Sequence, residues 1–530
     1  MRTTKLLLVL VLFSVTAAVQ AQTYVWEQHA AVNYTLNPTY ITFPISLDEG
    51  NNRIYDSRLV NNALVFGVDI YGEYEFESRD LNGTVVWSLS IGPKAFANHI
   101  TTDSTGNTYL SGNFLDTLYI GATDTLFNTG SGLNNNSYIV KLDGNGTVLW
   151  KRNVSQAWPN INDVSVTTID PFNNCWYGFT DFFEASFVQL DSAGNDSLMH
   201  TIENAKTIGR MSFDPWGGLY ISGSASSGYF IMDADTFNVT EPYNMFVARY
   251  NAAGNPQWAT FAHDVTFQFP QVIADGTGGA FVTGSRYDTT SFGSIFFNHP
   301  HLSQDYFVTR TDSNGVFQWG LQQPALGIGP YGQFEPGNNL HSAVDGSGNL
   351  YFSGVQHGPV DWGGVLTSAT PGLSDYRIGV AKIDKFGKAQ WVKVDGSTSL
   401  NQQSSIVTTA NGECFITGLI GDTASFDSLQ IVTSNLRNFV VAKIDNIPTG
   451  IQDHPGDSDI AFYTTSGTFL NINDKWTDCQ LEIFDSRGAL VKKIKSLNDS
   501  VVSLSDLRPA LYIVRLAKGD KSVTGKFIKQ

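Results

Sequence analysis

A pair of short motifs that alternates along most of the chain constrains the fold more than any other feature of the sequence. The first reads DSTGNTYLSGNF at 103–114 and DGSGNLYFSGV at 345–355, and the second reads YIVKLDGNGTVLW at 138–150 and FVTRTDSNGVFQW at 307–319. In both motifs an Asp and a nearby Gly separate runs in which apolar and polar residues alternate, which is typical of a β-hairpin. Two hairpins per repeat predict a four-stranded antiparallel sheet, and a sheet this small must pack against further copies.

The second motif gives the number of sheets. Its turn residue recurs seven times, at Asp80, Asp143, Asp191, Asn251, Asp312, Asp384 and Asp445. The first six copies continue into an outer strand, five of them through a tryptophan, at Trp87, Trp150, Trp258, Trp319 and Trp391. No strand follows Asp445, but Trp26 in the segment TYVWEQHAA (23–31) matches the outer strands. We predict that the N-terminal strand, within 22–31, completes the last sheet, because an unpaired edge would otherwise remain; the alternative places Trp26 in a loose leader.

The pairing of DxxGNxYxSG with (F/Y)xxK(L/I)DxxGxxxW resembles the bacterial seven-bladed β-propeller repeat. The resemblance covers about 53–446 and weakens around 163–198, where the tryptophan and the Ser-Gly pair are lost. It implies an all-β fold in which 22–446 form a seven-bladed propeller of four-stranded antiparallel blades, closed by the N-terminal strand. It implies no activity, since the same scaffold serves many functions.

Both ends of the chain carry segments of a different kind. Residues 1–21 combine Arg2 and Lys5 with an apolar run from Leu6 and small residues before Gln22, which is typical of a cleavable secretory signal peptide. The segment IPTGIQDHPGDS (447–458) reads as a linker. Alternating runs in the remaining 459–530 predict a small immunoglobulin-like β-sandwich.

The C-terminal runs IFDSRGALV (483–491), LRPALYIVRL (507–516) and TGKFIKQ (524–530) resemble the type A C-terminal sorting domain of the type IX secretion system. The usual Tyr-Pro-Asn-Pro opening is absent, and Ala510 stands where the family has Gly. The resemblance implies that the secretion machinery is a partner, that the domain is removed, and that the protein reaches the outer-membrane surface or the medium of a Gram-negative bacterium. An ordinary accessory sandwich is the alternative.

Charge and composition exclude several functions. The formal net charge of −17 argues against a nucleic-acid partner, because the phosphate backbone would be repelled. No later stretch is long and apolar enough for a transmembrane segment. The three cysteines, Cys175, Cys414 and Cys479, are too far apart for a disulfide framework or a CxxC site, and we expect them to pack as buried apolar groups.

A search for catalytic, cofactor and metal-binding motifs identifies no site. The sequence contains no HExxH, GxSxG or GxxxxGK, so we expect no catalytic residues, no metal and no cofactor. His299 and His301 could ligate a metal, although solvated loop histidines are the simpler interpretation. The strings DGNG (143–146), DGSGN (345–349) and DADT (233–236) lack the later acid of a calcium loop, and turn chemistry explains them.

The variable connections of the repeats supply the candidate ligand-binding residues. The two tight turns of each repeat are expected on one face, and the longer connections, such as 321–340 and 355–376, on the other. Aromatic residues there are Trp158, Tyr331, Phe334 and Trp362, which suit stacking against sugars or docking of a partner, unless they pack beneath the loops. The segments 291–297, 360–368 and 425–434 read as extra hairpins rather than free loops.

These features favour an exported, non-catalytic scaffold that binds a glycan or protein at the cell surface. The alternative is a secreted polysaccharide lyase or glycoside hydrolase with paired carboxylates in the propeller channel, and a structural surface-layer role is a third. The two main hypotheses differ in what they require of the channel. Two facing acids about 5–10 Å apart would favour the enzyme.

Overall fold

The computed structural model describes most of the chain after the predicted signal peptide. The described residues are 23–31, 41–62, 71–128, 135–161, 164–181, 183–263, 270–286, 289–298, 305–323, 332–364, 366–368, 370, 375–397, 401–421, 423–433, 437–445, 462–465, 469–472, 478–485, 489–497, 501–508, 510–518 and 521–529. Thr23–Asn446 forms one compact unit, and Ile447–Gln530 belongs to a second. Within these ranges the fold is all-β, with antiparallel sheets and one short 3-10 turn at Val154–Gln156.

The first two sheets are joined by one long strand. Their strands are, in chain order, β1 (Tyr24–Ala31), β2 (Ile45–Asp48), β3 (Arg53–Asn62), β4 (Gly72–Asp80), β5 (Val85–Thr102), β6 (Thr108–Phe114), β7 (Thr117–Ile120), β8 (Asp124–Phe127), β9 (Asn136–Leu142) and β10 (Val148–Asn153). Sheet I is β2-β3-β4-β5, and sheet II is β5-β6-β9-β10, because β5 pairs with β4 through its first half and with β6 through its second. The β7-β8 hairpin extends from β5.

The next two sheets are also connected. Their strands are β11 (Val164–Ile169), β12 (Cys175–Thr180), β13 (Glu184–Leu190), β14 (Asp196–Glu203), β15 (Ala205–Phe213), β16 (Leu219–Met232), β17 (Asp235–Tyr250) and β18 (Pro256–His263). Sheet III is β11-β12-β13-β14, and sheet IV is β15-β16-β17-β18. The far end of β16 also pairs with β14, so the two sheets share a short ladder.

Three further sheets complete the first unit. Their strands are β19 (Gln271–Ala274), β20 (Ala280–Arg286), β21 (Thr290–Phe292), β22 (Ile295–Phe297), β23 (Asp305–Thr311), β24 (Phe317–Leu321), β25 (Gln333–Pro336), β26 (Ser342–Val344), β27 (Leu350–His357), β28 (Val360–Trp362), β29 (Leu366–Ser368), β30 (Arg377–Ile383), β31 (Ala389–Ser397), β32 (Asn401–Thr408), β33 (Cys414–Ile420), β34 (Thr423–Phe426), β35 (Leu429–Val432) and β36 (Asn438–Ile444). Sheet V is β19-β20-β23-β24. In sheet VI, β25 and β26 share the edge of β27, and β30 and β31 follow.

Sheet VII joins the two ends of the unit. Its order is β32-β33-β36-β1, and the N-terminal β1 pairs antiparallel with β36 from Tyr24 opposite Ile444 to Ala31 opposite Asn438. The last sheet therefore takes its fourth strand from the start of the described chain. The three extra hairpins expected between repeats are also present, as β21-β22, β28-β29 and β34-β35.

The repeated Asp-x-x-Gly strings form the same turn each time. In the turn after β4, the Gly83 amide donates to the Asp80 carbonyl at 3.0 Å, and the Asp80 carboxylate accepts the amides of Asn82 and Thr84 at 2.9 Å. Gly83 has φ +86°, a left-handed conformation that a side chain would strain. The geometry is a type I turn followed by a left-handed residue, a common connection of three-residue hairpins.

A tryptophan on the outer strand joins most sheets to the next one. Trp26 of β1 donates its Nε1–H to the Leu81 carbonyl of sheet I at 3.0 Å, and a Cβ on Gly83 would lie 2.8 Å from its ring. The equivalent bonds run from Trp87 to Gly144, Trp258 to Ser313, and Trp319 to Lys385. Because Trp26 belongs to sheet VII, the sheet that comes last along the chain contacts the first one.

The C-terminal unit contains two antiparallel sheets. Its strands are β37 (Phe462–Thr465), β38 (Phe469–Ile472), β39 (Gln480–Asp485), β40 (Leu490–Ile494), β41 (Val501–Ser503), β42 (Ala510–Lys518) and β43 (Lys521–Lys529). One sheet has the order β37-β38-β41 and the other β40-β39-β42-β43. Leu470 and Val502 of the first sheet share a buried cluster with Leu481 and Val514 of the second, so the sheets pack face to face.

Candidate functional site

The first strands of all seven sheets line one cavity of about 430 Å³. Its walls are formed by β2, β5, β11, β15, β19, β26 and β32. We call it the shared cavity. Its volume lies within the range that small-molecule sites usually occupy.

The shared cavity lies beside the tight turns. In most of the first strands its lining residues occupy the later part, such as Ile100–Thr102 of β5 and Ile406–Thr408 of β32, immediately before the turns at 103–107 and 409–413. The sequence predicts the candidate site at the opposite end, among the variable connections. The position of this cavity therefore differs from that expectation.

Hydroxyl groups and the guanidinium of Arg210 are the side-chain groups of the cavity wall that can donate hydrogen bonds. Thr101, Thr167, Thr408 and Ser342 are among the lining residues, and each carries a group that can both donate and accept a hydrogen bond. Arg210 of β15 reaches across to sheet VI, where its Nη1 donates to the Ser342 carbonyl at 2.7 Å and to the hydroxyl at 2.9 Å. These two bonds hold the guanidinium at the cavity wall.

Arg210 stays charged although protein surrounds it. Burial lowers the pKa of its guanidinium to about 10, because the charged form loses hydration there. That value is still well above neutral pH, so the group carries its positive charge under physiological conditions. A positive group on the wall of a polar cavity favours a ligand with a negative group.

Among the described lining residues, Glu49 is the one carboxylate. Its Oε2 accepts the amide of Ala410 at 2.9 Å, which ties it to the turn after β32. Burial raises the pKa of Asp305 and of Asp395 to about 7, but neither residue lines this cavity. The described lining thus lacks the facing pair of acids that the glycosidase alternative requires.

The segment 337–341 crosses the region next to the shared cavity. The side-chain amide of Asn338 donates to the Ile41 carbonyl at 2.8 Å, and that of Asn339 donates to the Asn98 carbonyl at 2.9 Å. The backbone amide of Asn338 donates to the Gln403 carbonyl at 3.3 Å. One short segment thus bonds to the chain before β2, to sheet II and to sheet VII, and it lies near the starts of the first strands.

Two exposed aromatic rings stand at the tight turns on the cavity side. Phe172 and Trp216, which are 70% and 60% exposed, occupy the same position of the turns after β11 and β15. Their amides donate to Asp170 and Asp214 at 2.8 and 3.0 Å, so the turns hold the two residues in place. Phe172 also lies against the Gly217 backbone of the next turn. Exposed flat rings beside a polar cavity suit stacking against a sugar face.

The structure places the four predicted ligand-binding residues differently from one another. Phe334 and Trp362 are fully buried, with ring centroids 5.0 Å apart. These two residues therefore pack beneath the loops, which was the alternative to ligand binding. Trp158 is half-buried, and its Nε1 donates to the Tyr177 hydroxyl at 3.0 Å. Tyr331 lies outside the described residues. The structure therefore brings Phe334 and Trp362 together in a core rather than at a surface.

Arg210, Phe172 and Trp216 were not identified from the sequence. The sequence did contain a signal for Phe172 and Trp216. In neighbouring repeats the same turn position is occupied by polar residues such as Thr105 and Thr277. An aromatic residue at a solvent-facing turn position departs from the repeat. Arg210 offered no such signal, since its role depends on a contact with β26, more than a hundred residues away.

The other residues considered from the sequence as possible metal or redox sites are turn or core residues wherever they lie in the described part of the chain. The Asp143 carboxylate accepts the amides of Asn145 and Thr147 at 2.9 and 2.8 Å, as turn chemistry predicts. The three cysteines are buried and unpaired by disulfides, as expected. His299 and His301 lie outside the described residues. The part of the chain that is described holds no cluster of three or more potential metal ligands.

Comparison with solved structures finds only remote similarity. A luciferin-regenerating enzyme is 12% identical, with 77% of this chain and 92% of that chain covered and a TM-score of 0.32. An extracellular domain from B. thetaiotaomicron is 11% identical, with 93% and 81% covered and a TM-score of 0.22. Comparison with curated proteins gave no match. Similarity at this level carries no argument about function.

The C-terminal unit, in contrast, matches a family of known role. Residues 466–530 match the family model of the secretion system C-terminal sorting domain. This match supports the sorting-domain prediction and identifies the type IX secretion machinery as a partner. A helix long and apolar enough to cross a membrane is not found among the described residues. The chain carries a type IX sorting domain, and it is a secreted or cell-surface protein.

Proposed function

We propose that residues 22–446 form a closed seven-bladed β-propeller, with sheets I to VII as the blades. Three observations support it. Tryptophan contacts join most sheets to the next one, and Trp26 joins sheet VII to sheet I. The first strands of all seven sheets line one cavity. One buried cluster unites Ile54 and Phe76 of sheet I with Phe415 and Phe439 of sheet VII.

The proposed domain organisation places this propeller between two export segments. Residues 1–21 serve as the signal peptide, 447–458 as a linker, and 459–530 as the sorting domain with an immunoglobulin-like β-sandwich. The match to the sorting-domain family over 466–530 supports the last assignment. The propeller is then the part of the protein that acts after export.

The propeller binds an acidic saccharide in the shared cavity, without catalysing a reaction. Arg210 is the residue on which this proposal rests, because it presents a positive charge among hydroxyl groups on the wall of one cavity. A guanidinium pairs well with the carboxylate of a sugar acid, and the hydroxyls match those of the ring. Phe172 and Trp216 offer flat apolar faces beside the entrance.

A glycan array tests this function. The mature wild-type chain should bind glycans that contain uronic or other carboxylated sugars, and it should bind their neutral counterparts at least ten times more weakly. Arg210→Gln should lower the affinity for the acidic glycans roughly 10- to 100-fold, which corresponds to loss of a charged hydrogen bond of about 1.5–3 kcal/mol. Isothermal titration with the best glycan measures the change.

The matched control is Lys206→Gln, which removes the same charge from the same strand, β15. Lys206 is not among the residues that line the shared cavity, so its substitution should leave the affinity within about twofold. Equal losses in the two variants would indicate a general effect of net charge. A blank array, or full binding by Arg210→Gln, would contradict the proposed function.

A further inference from the structure

The third repeat lacks the tryptophan that joins the other sheets. In five repeats the tryptophan follows the turn residue by seven positions, as Trp150 follows Asp143, and the same spacing from Asp191 leads to Leu198. Leu198 of β14 is 45% exposed. Two residues further on, His200 takes over part of the contact, since its ring lies 3.0 Å from the position of a Cβ on Gly254 of sheet IV.

A cavity of about 160 Å³ occupies this interface between sheets III and IV. We call it the Leu198 cavity. Aromatic side chains form its walls, including Trp176, Phe187 and Tyr250. Leu198 and the exposed Phe172 are also part of the lining, so the cavity reaches the surface. An apolar cavity of about 150 Å³ is large enough to take a benzene-sized ring.

The Leu198 cavity retains the groups that hold an indole ring elsewhere in the chain. In the complete interfaces the ring lies on the turn glycine, and its Nε1–H donates to the carbonyl of the residue after the turn Asp, as Trp87 does with Gly144. The corresponding residues here are Gly254 and Ala252, and both line the cavity; the ring of His200 already lies on the Gly254 backbone, so a ligand ring would lie beside His200. A strand aromatic covers the other side, where Trp176 corresponds to Tyr109.

We propose that the Leu198 cavity binds a neutral aromatic ring that carries one N–H or O–H donor, such as indole or phenol. The apolar walls favour the ring, and the Ala252 carbonyl, which corresponds to the indole acceptor of the complete interfaces, accepts the donor. An anionic ring is disfavoured, because Asp170 lines the cavity and Asp233 bonds to His200 at 3.0 Å. This site is separate from the shared cavity, and Phe172 is the residue that it has in common with the proposed glycan-binding surface.

Titration of the mature full-length chain with indole tests the proposal. Wild-type protein should bind one indole per chain, measured by isothermal titration and by saturation-transfer NMR. Leu198→Trp should restore the missing side chain, raise the melting temperature and weaken indole binding at least tenfold. Leu198→Phe, a smaller filling variant, should also weaken binding, and Leu198→Met should leave it within about twofold. Melting curves show that each variant is folded.

A second ligand distinguishes two sources of the ring, an aromatic side chain of a partner protein and a small aryl compound. Binding of N-acetyl-tryptophanamide as well as indole would show that the cavity accepts an aromatic side chain of a partner protein. Binding of indole and phenol without N-acetyl-tryptophanamide would restrict it to small aryl compounds. Wild-type protein that binds none of these at millimolar concentration, or Leu198→Trp protein that binds indole as wild type does, would overturn the proposal.

Discussion

The stability of a buried charged group in this protein depends on the oppositely charged groups around it. Asp56 of β3 is completely buried, and the Nε of Arg79 on β4 donates to its carboxylate at 2.7 Å. Arg79 also pairs with Glu77. Burial raises the pKa of Asp56, while the charge of Arg79 opposes that rise. The three groups form a buried ion network in which Arg79 is the main counter-charge, and Arg58 lies 3.5 Å from Glu77.

Arg79→Ala should lower the free energy of unfolding by about 3–5 kcal/mol at pH 8, because it removes the main counter-charge of two buried carboxylates. The loss should be smaller at pH 5. Without Arg79 the pKa of Asp56 rises further, so the folded variant takes up a proton as the pH falls and the penalty decreases. Urea unfolding at both pH values measures this, with the exposed Lys385→Ala as a control within about 0.5 kcal/mol. An equal loss at both pH values would contradict the argument.

Among the described strands, β1 has the partner that lies farthest away in the sequence, β36. Its Tyr24 is buried against Phe426 with ring centroids 4.8 Å apart, and its amide donates to Asp427 at 2.7 Å. Trp26 contacts sheet I. The strand therefore stabilises sheet VII by its hydrogen bonds and two interfaces by its side chains.

Deletion of residues 22–31 should lower the melting temperature of the mature chain by many degrees. The deletion removes two packed aromatic side chains, each worth about 3–5 kcal/mol when truncated, and leaves β36 as an open edge. Differential scanning calorimetry measures the effect. Val25→Ala, which changes an exposed side chain of the same strand, should shift the transition by no more than a degree or two. An unchanged melting curve for the deletion would exclude a closing role for β1.

The whole molecule divides into parts of opposite charge. Residues 459–530 contain 11 basic and 8 acidic residues, a net of +3, whereas 22–458 contain 19 basic and 41 acidic residues, a net of −22. The basic part includes the sorting-domain match at 466–530. The acidic part contains both cavities. Export and ligand binding are therefore assigned to different parts of the chain.

Replacement of the last ten residues, 521–530, should trap the protein in the periplasm. These residues include β43, which pairs with β42 along its whole length, so their loss disrupts the sorting domain. Cell fractionation with surface protease digestion measures delivery. A chain with Phe386→Ser, a 76% exposed side chain of the other unit, should reach the surface normally. Normal delivery of the C-terminal variant would contradict the role assigned to this domain.

Local patterns in the sequence predict the hairpins, the turns and the sorting domain of this protein. A hairpin and its Asp-x-x-Gly turn are set by residues within about a dozen positions, so the all-β class, the sheets and the extra hairpins could be predicted from repeats. The sorting domain was recognisable for the same reason, since its motif is contiguous. The weak third repeat also marked the interface that contains the Leu198 cavity.

The positions that ligands can reach follow from packing between strands that are far apart in the sequence. The shared cavity combines residues from seven strands, and Arg210 meets Ser342 at a separation of 132 residues, which no local pattern encodes. Burial of Phe334 and Trp362 likewise depends on how hairpins pack between sheets. Hydrogen bonding within a hairpin is local and repeats with the sequence, whereas the walls of a cavity arise from packing between distant strands.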